Sequence, residues 1–166
     1  MKEDLQIKKI DTSCKNYKSV YKSSCLKFNK LGNWLEKESS IFKKETTNNN
    51  KLYPNFKRGQ VIKVDFGVNI GSELSNTHYA IVLNKDDNPK VDNITVLPLT
   101  SKEGYKRLYI GNILKETFKN ENNSYALITQ VTTISKKKII NENNKLFCNN
   151  DIMEKITKEI VKFIAK

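Results

Sequence analysis

Val61-Ile62-Lys63-Val64-Asp65-Phe66 is the stretch that decides the fold. From Ile62 onward apolar and polar side chains alternate, so Ile62, Val64 and Phe66 fall on one side of an extended chain and Lys63 and Asp65 on the other. Further along, Tyr79-Ala80-Ile81-Val82-Leu83, Ile94-Thr95-Val96-Leu97-Pro98, Leu108-Tyr109-Ile110 and Tyr125-Ala126-Leu127-Ile128-Thr129 are short runs rich in β-branched and aromatic residues. The joints Gly67 to Asn76, Asp86-Asp87-Asn88-Pro89 and Asn120 to Asn123 are rich in the residues that tolerate turn dihedrals. Five short strands predict a mainly β, closed or half-closed small barrel.

On either side of the strands the period changes. Tyr17, Val20, Tyr21, Cys25, Phe28, Leu31, Trp34, Leu35, Ile41 and Phe42 recur at three- and four-residue steps, which predicts one amphipathic helix bent near Gly32. Its apolar face must be covered, and the plainest cover is the chain's own barrel. The polar run Thr46-Thr47-Asn48-Asn49-Asn50 reads as a linker, giving a helical extension over residues 1–50 and a barrel domain over 51–166. At the other end, a helix capped by Asn150 or Asp151 places Ile152, Ile156, Ile160 and Phe163 in one stripe for the barrel to bury.

Composition narrows the function. The chain of 166 residues carries 30 Lys and Arg against 18 Asp and Glu, a net charge of +12 that favours an anionic partner. No run is long and apolar enough to span a membrane, and the start lacks a secretory apolar core, which predicts a cytoplasmic protein. The 3 cysteines, Cys14, Cys25 and Cys148, with a single histidine, give no zinc spacing and read as buried or idle thiols. Gly67 and Gly71 lack the phosphate-cradling pattern, so neither a metal nor a nucleotide cofactor is expected.

Four segments in order carry a resemblance. They are Lys57-Arg58-Gly59-Gln60 with the strand that follows, Gly71-Ser72-Glu73, Leu97-Pro98-Leu99-Thr100-Ser101-Lys102, and Ala126 to Ile134 with its Thr129-Gln130 and Thr133-Ile134. Together they resemble the MazF/PemK toxins over about residues 54–166. The resemblance implies an SH3-like small barrel of the MazF/PemK/CcdB kind with a C-terminal helix. It also implies a homodimer that cuts single-stranded RNA sequence-specifically and without a metal, and a cognate small acidic antitoxin that silences it.

The family's catalytic arginine, in Arg-Pro, falls on His78, with the proline on Tyr79, and its catalytic threonine falls on Thr100; Gln60 stands in place of an aspartate. The resemblance thus names His78 and Thr100 as catalytic. Arg58, Ser72, Tyr79, Lys85, Ser101, Lys102 and Arg107 are the candidates for holding RNA. Arginine, with a pKa above roughly 12, is a charge stabiliser, whereas imidazole, near 6.5, exchanges protons at neutral pH. Proton transfer is therefore expected of His78 and a phosphate-bonding or orienting hydroxyl of Thr100, with Lys102 or Arg107 supplying positive charge. Tyr79, Tyr105 and Tyr109 offer rings for unpaired bases, and Lys85, Lys102, Lys106 and Arg107 offer charge along the backbone. Glu73 is expected to hold its loop, and Lys136-Lys137-Lys138 to be a solvated turn. The expected products are 2′,3′-cyclic phosphate and 5′-hydroxyl ends. The competing expectation is a barrel that binds RNA or poisons a protein such as a topoisomerase without cutting anything.

Overall fold

Alternation along the strands buries both faces of one sheet. The computed structural model describes residues 2–21, 28–47, 52–114, 123–141 and 146–165; Cys25, residues 48–50 of the linker and residues 120–122 of the third turn lie outside them. Seven antiparallel strands form the sheet: β1 (Val61–Asp65), β2 (Thr77–Val82), β3 (Asn93–Thr100), β4 (Arg107–Tyr109), β5 (Tyr125–Leu127), β6 (Thr132–Ser135) and β7 (Ile139–Asn141). The path runs β4-β5-β3-β2-β1-β7, with β6 also on β3, and does not close into a full barrel. The small-barrel expectation holds, but β6 and β7 add two strands to the five read from sequence.

On one face Val61, Ile81, Leu97 and Leu99 pack with Met153 and Ile156 of the terminal helix. On the other, Ile62, Val64, Ala80, Val82, Ile94 and Val96 pack with Phe56, Phe66 and Ile134. Each fully buried aliphatic side chain contributes roughly 1.5–3 kcal/mol. Double-sided burial explains the unbroken apolar character of Ala80-Ile81-Val82 and Val96-Leu97-Pro98.

The terminal helix, α3 (Asn150–Ile164), begins one residue earlier than expected, because the Asn149 side chain accepts from Ile152 N at 2.9 Å. Its buried residues are Met153 and Ile156, while Phe163 is 45% exposed, since the helix outruns the sheet. Its first turn is tied to the barrel through Gly59, whose φ of 81° lets its N–H reach Val82 O and its carbonyl accept from Cys148 N, both at 2.9 Å. Next to it Gln60 is buried, and its side-chain carbonyl accepts from Lys57 N at 3.1 Å, an acceptor's task that does not need a carboxylate.

Lys136 is not part of a solvated turn. Its Nζ lies 2.7 Å from Asp87 Oδ1, with both side chains buried, and also donates to Asn88 O at 3.1 Å. Asp87 lies in the β2–β3 turn, so the pair fastens that turn to the end of β6.

The chain divides into two units, Met1–Thr47 and Asn48–Lys166. The first holds α1 (Lys2–Tyr21), a short 3-10 turn (Phe28–Lys30) and α2 (Leu31–Thr47), rather than one bent helix. Gly32 sits in the first turn of α2, directly after the 3-10 turn. Leu31 and Trp34 are buried, but Phe42 is 61% exposed, so the apolar face is shorter than the periodicity implied. Among the described residues no helix is long and apolar enough to cross a membrane.

Candidate functional site

A fork between strands makes the site. β3 pairs with β6 over Asn93 to Val96 and with β5 over Leu99 and Thr100. Its register with β2 ends at Ala80 and Pro98. Upstream of Ala80, β2 continues along β1, setting Thr77 opposite Asp65 and His78 opposite Val64. Where β2 and β3 part, a cavity of about 240 Å³ opens, walled by residues 77–79 of β2, residues 99–102 of β3 and its turn, and Leu114, Asn123 and Ser124.

His78 and Thr100 share this cavity. The half-buried imidazole lies edge-on to Phe66, with ring centroids 6.4 Å apart, and its Nδ1 is 3.1 Å from Leu99 O. A carbonyl oxygen can only accept, so Nδ1 carries the hydrogen in this bond and Nε2 is left as the ring's acceptor. Leu99 O lies in phase with Thr95 O, which accepts from Leu83 N, and so faces β2 across the fork. The imidazole thus takes a bond on the carbonyl that the strand ladder offers next, which fixes its plane.

Thr100 Oγ1 accepts from Lys102 N at 3.3 Å, turning the chain so that Ser101 and Lys102 also line the cavity. Tyr79 completes the wall. Burial pushes its phenol above the usual range, and Lys63, its cross-strand partner, holds Nζ 5.8 Å from the ring centroid. Among the lining residues there is no carboxylate, so the charge here is that of Lys102, with Lys63 behind Tyr79.

The other candidates lie elsewhere. Arg107 Nη1 donates to Lys102 O at 3.0 Å and Glu103 O at 3.2 Å, so it braces the turn that carries Lys102. Arg58 donates to Leu83 O and, at 2.8 Å, to Thr157 Oγ1, beside a separate, open cavity of about 420 Å³ against α3. Lys85 is exposed beyond the opposite end of β2 from His78. Ser72 is exposed in the β1–β2 loop, its carbonyl 3.5 Å from Gln130 Nε2. That loop is held chiefly by Asn69, whose Nδ2 donates to Phe66 O and Leu74 O, while Glu73 extends into solvent. Tyr105 is 86% exposed and outside the cavity, and the exposed Tyr109 packs on Tyr125 with ring centroids 5.5 Å apart.

Sequence reasoning missed Thr77, Leu114, Asn123, Ser124 and Lys63. Lys63 could have been found from the period of two, which aims it away from Ile62 and Val64. Ser124, next to a polar run read as a turn, gave no signal.

A family model for PemK-like, MazF-like toxins of type II toxin–antitoxin systems matches residues 57–164, well over half of the chain. The chain belongs to that family. Among solved structures, a MazF from Deinococcus radiodurans superposes with a TM-score of 0.52 at 13% identity, covering 68% of this chain and 99% of its own. A MazE–MazF structure from the same organism gives 0.50 at 12%, covering 68% of this chain and 97% of that one. An endoribonuclease in complex with its cognate antitoxin, from a mycobacterial species, gives 0.48 at 15% identity, covering 64% of this chain and 92% of its own. At these identities the likeness is one of fold. No curated protein sequence matches. His78 and Tyr79, which the resemblance sets in the place of Arg-Pro, both line the cavity.

Proposed function

We propose that the chain is the toxin of a type II toxin–antitoxin pair and a metal-independent endoribonuclease acting on single-stranded RNA, with residues 51–166 as the nuclease and 1–50 as an extension. The observation that carries this reading is the hydrogen bond from His78 Nδ1 to Leu99 O on the wall that also presents Thr100. It supports the reading by leaving Nε2 as the ring's acceptor.

In the proposed reaction neutral His78 takes the proton of a ribose 2′-hydroxyl through Nε2, and O2′ attacks the adjacent phosphorus. The O2′–P bond forms and the P–O5′ bond breaks, leaving a 2′,3′-cyclic phosphate and a 5′-hydroxyl. Lys102 and the Thr100 hydroxyl bond the non-bridging oxygens as charge builds on them. The 5′ oxygen takes its proton from water or a lysine, because one imidazole that has just accepted a proton at Nε2 cannot also donate it across the phosphate at the same instant. Imidazolium then releases its proton to solvent.

The net charge of +12 suits both an RNA strand and a small acidic antitoxin that competes for the same surface. A homodimer in the cytoplasm completes the reading. α3 leaves Val161, Phe163 and Ile164 exposed, apolar surface that a second copy would cover.

The test compares the parent chain with His78→Ala and Thr100→Ala on a panel of single-stranded RNAs. His78→Ala is expected to slow cutting by about a hundredfold or more with the fold intact. A parent chain that binds every RNA and cuts none would instead identify a non-catalytic module, for which the histidine in place of arginine is the motive.

A further inference from the structure

Ser124 immediately precedes β5 and lines the same cavity. Its backbone is fixed on both sides: Ser124 N donates to Gly111 O at 2.8 Å, and Ser124 O accepts from Ile110 N at 3.0 Å. The residue is only 2% exposed, and among the described residues its Oγ has no hydrogen-bond partner. An unpaired buried hydroxyl is unfavourable and rare, and it calls for an explanation. Here the explanation is a bound group that supplies the missing bond.

The lining says what kind of group. Tyr79, Leu99 and Leu114 give an apolar, partly aromatic wall, and Thr77, Asn123 and Ser124 add neutral polar groups. The formal charge of the lining is that of Lys102, on the turn that follows Thr100. With Lys102 taken up by the scissile phosphate in the proposed reaction, a neutral planar ring suits the remaining neutral and apolar wall. The cavity, about 240 Å³, has room for a nucleobase.

We propose that this cavity takes a single unpaired RNA base beside the scissile phosphate, that Tyr79 packs against it, and that Ser124 Oγ hydrogen-bonds its edge. Ser124 is then a specificity-determining residue, which rests on the ribonuclease reading of the same site.

The test uses the full chain and Ser124→Ala. Four short 2′-O-methyl RNAs, each of one base, lack the attacking hydroxyl, and their affinities are measured by fluorescence anisotropy. In parallel, a random-sequence RNA is digested and the nucleotides flanking each cut are sequenced. The parent is expected to prefer one base in binding and at one position beside the cut, and Ser124→Ala to reduce that preference by about tenfold, the effect of one hydrogen bond. The variant should melt at the same or a higher temperature, because an unsatisfied buried hydroxyl has been removed. A parent without base preference, or a variant that keeps it, overturns the proposal. A parent that cuts nothing but binds with a preference that Ser124→Ala removes would refute the ribonuclease reading and leave the base pocket standing.

Discussion

Replacing Lys136 with methionine keeps most of the stem and removes the ammonium, leaving the Asp87 carboxylate buried without its cation. The side chains are 1% and 2% exposed, and Nζ contacts both carboxylate oxygens, at 2.7 and 2.9 Å. Rings add to the site, with Nζ 6.0 Å from the Tyr53 centroid and 5.9 Å from that of Phe56. Removing one partner of a buried pair costs about 3–5 kcal/mol, most of it the isolated charge left behind. Asp87 Oδ2 keeps one donor, Phe56 N at 2.9 Å, which places the expected loss near the lower end, about 3 kcal/mol. The double variant Lys136→Met, Asp87→Asn should recover much of that loss, because the amide oxygen can still accept from Phe56 N and no charge remains. The assay is urea denaturation read by hydrogen exchange of β1 to β3 amides; the single tryptophan, Trp34, lies in the other unit and reports on that. A loss below about 1 kcal/mol in Lys136→Met, the range of a solvated surface pair, would refute the buried pair.

Gly59→Ala is expected to cost about 1–2 kcal/mol, since φ is 81° there and a left-handed backbone disfavours a Cβ; the melting temperature of the barrel checks it. Burial pushes the Cys148 thiol up from 9.0 to about 12. The folded chain therefore holds this proton to higher pH than the unfolded chain, so Cys148's contribution to stability is intact below about pH 9 and is lost as pH rises towards 12. Denaturation midpoints across that range, compared with Cys148→Ala, measure it. Iodoacetamide at pH 8 should label the exposed Cys14 and spare Cys148, as peptide mass spectrometry would show.

The first five strands were legible because their runs are rich in β-branched and aromatic residues between turn-forming joints; β2 and β3 read as unbroken apolar runs since the sheet buries both of their faces, whereas β4 and β5 are only partly buried. β6 and β7 escaped for the opposite reason: Thr132-Thr133-Ile134-Ser135 buries Ile134 alone, and β7 is three residues long. The N-terminal periodicity runs through the 3-10 turn at Phe28–Lys30, since three-residue steps suit a 3-10 turn and an α-helix alike, and so two helices read as one. Lys136 looked solvated because its partner is 49 residues away. At the site, only the family resemblance singled out His78 and Thr100, since a lone histidine and a strand-end threonine say little by themselves; the structure brings the two to one cavity. The bond to Leu99 O and the unpaired Ser124 hydroxyl depend on where β3 changes partners, which no local pattern encodes.

The chemistry of the cut ends tests the central claim most directly. Single-stranded RNA incubated with the parent chain in excess EDTA should yield 2′,3′-cyclic phosphate and 5′-hydroxyl ends, and a 2′-deoxy nucleotide at the cut position should block cleavage there. Ends bearing 3′-hydroxyl and 5′-phosphate, or cutting that EDTA abolishes, would contradict proton abstraction from the ribose by His78.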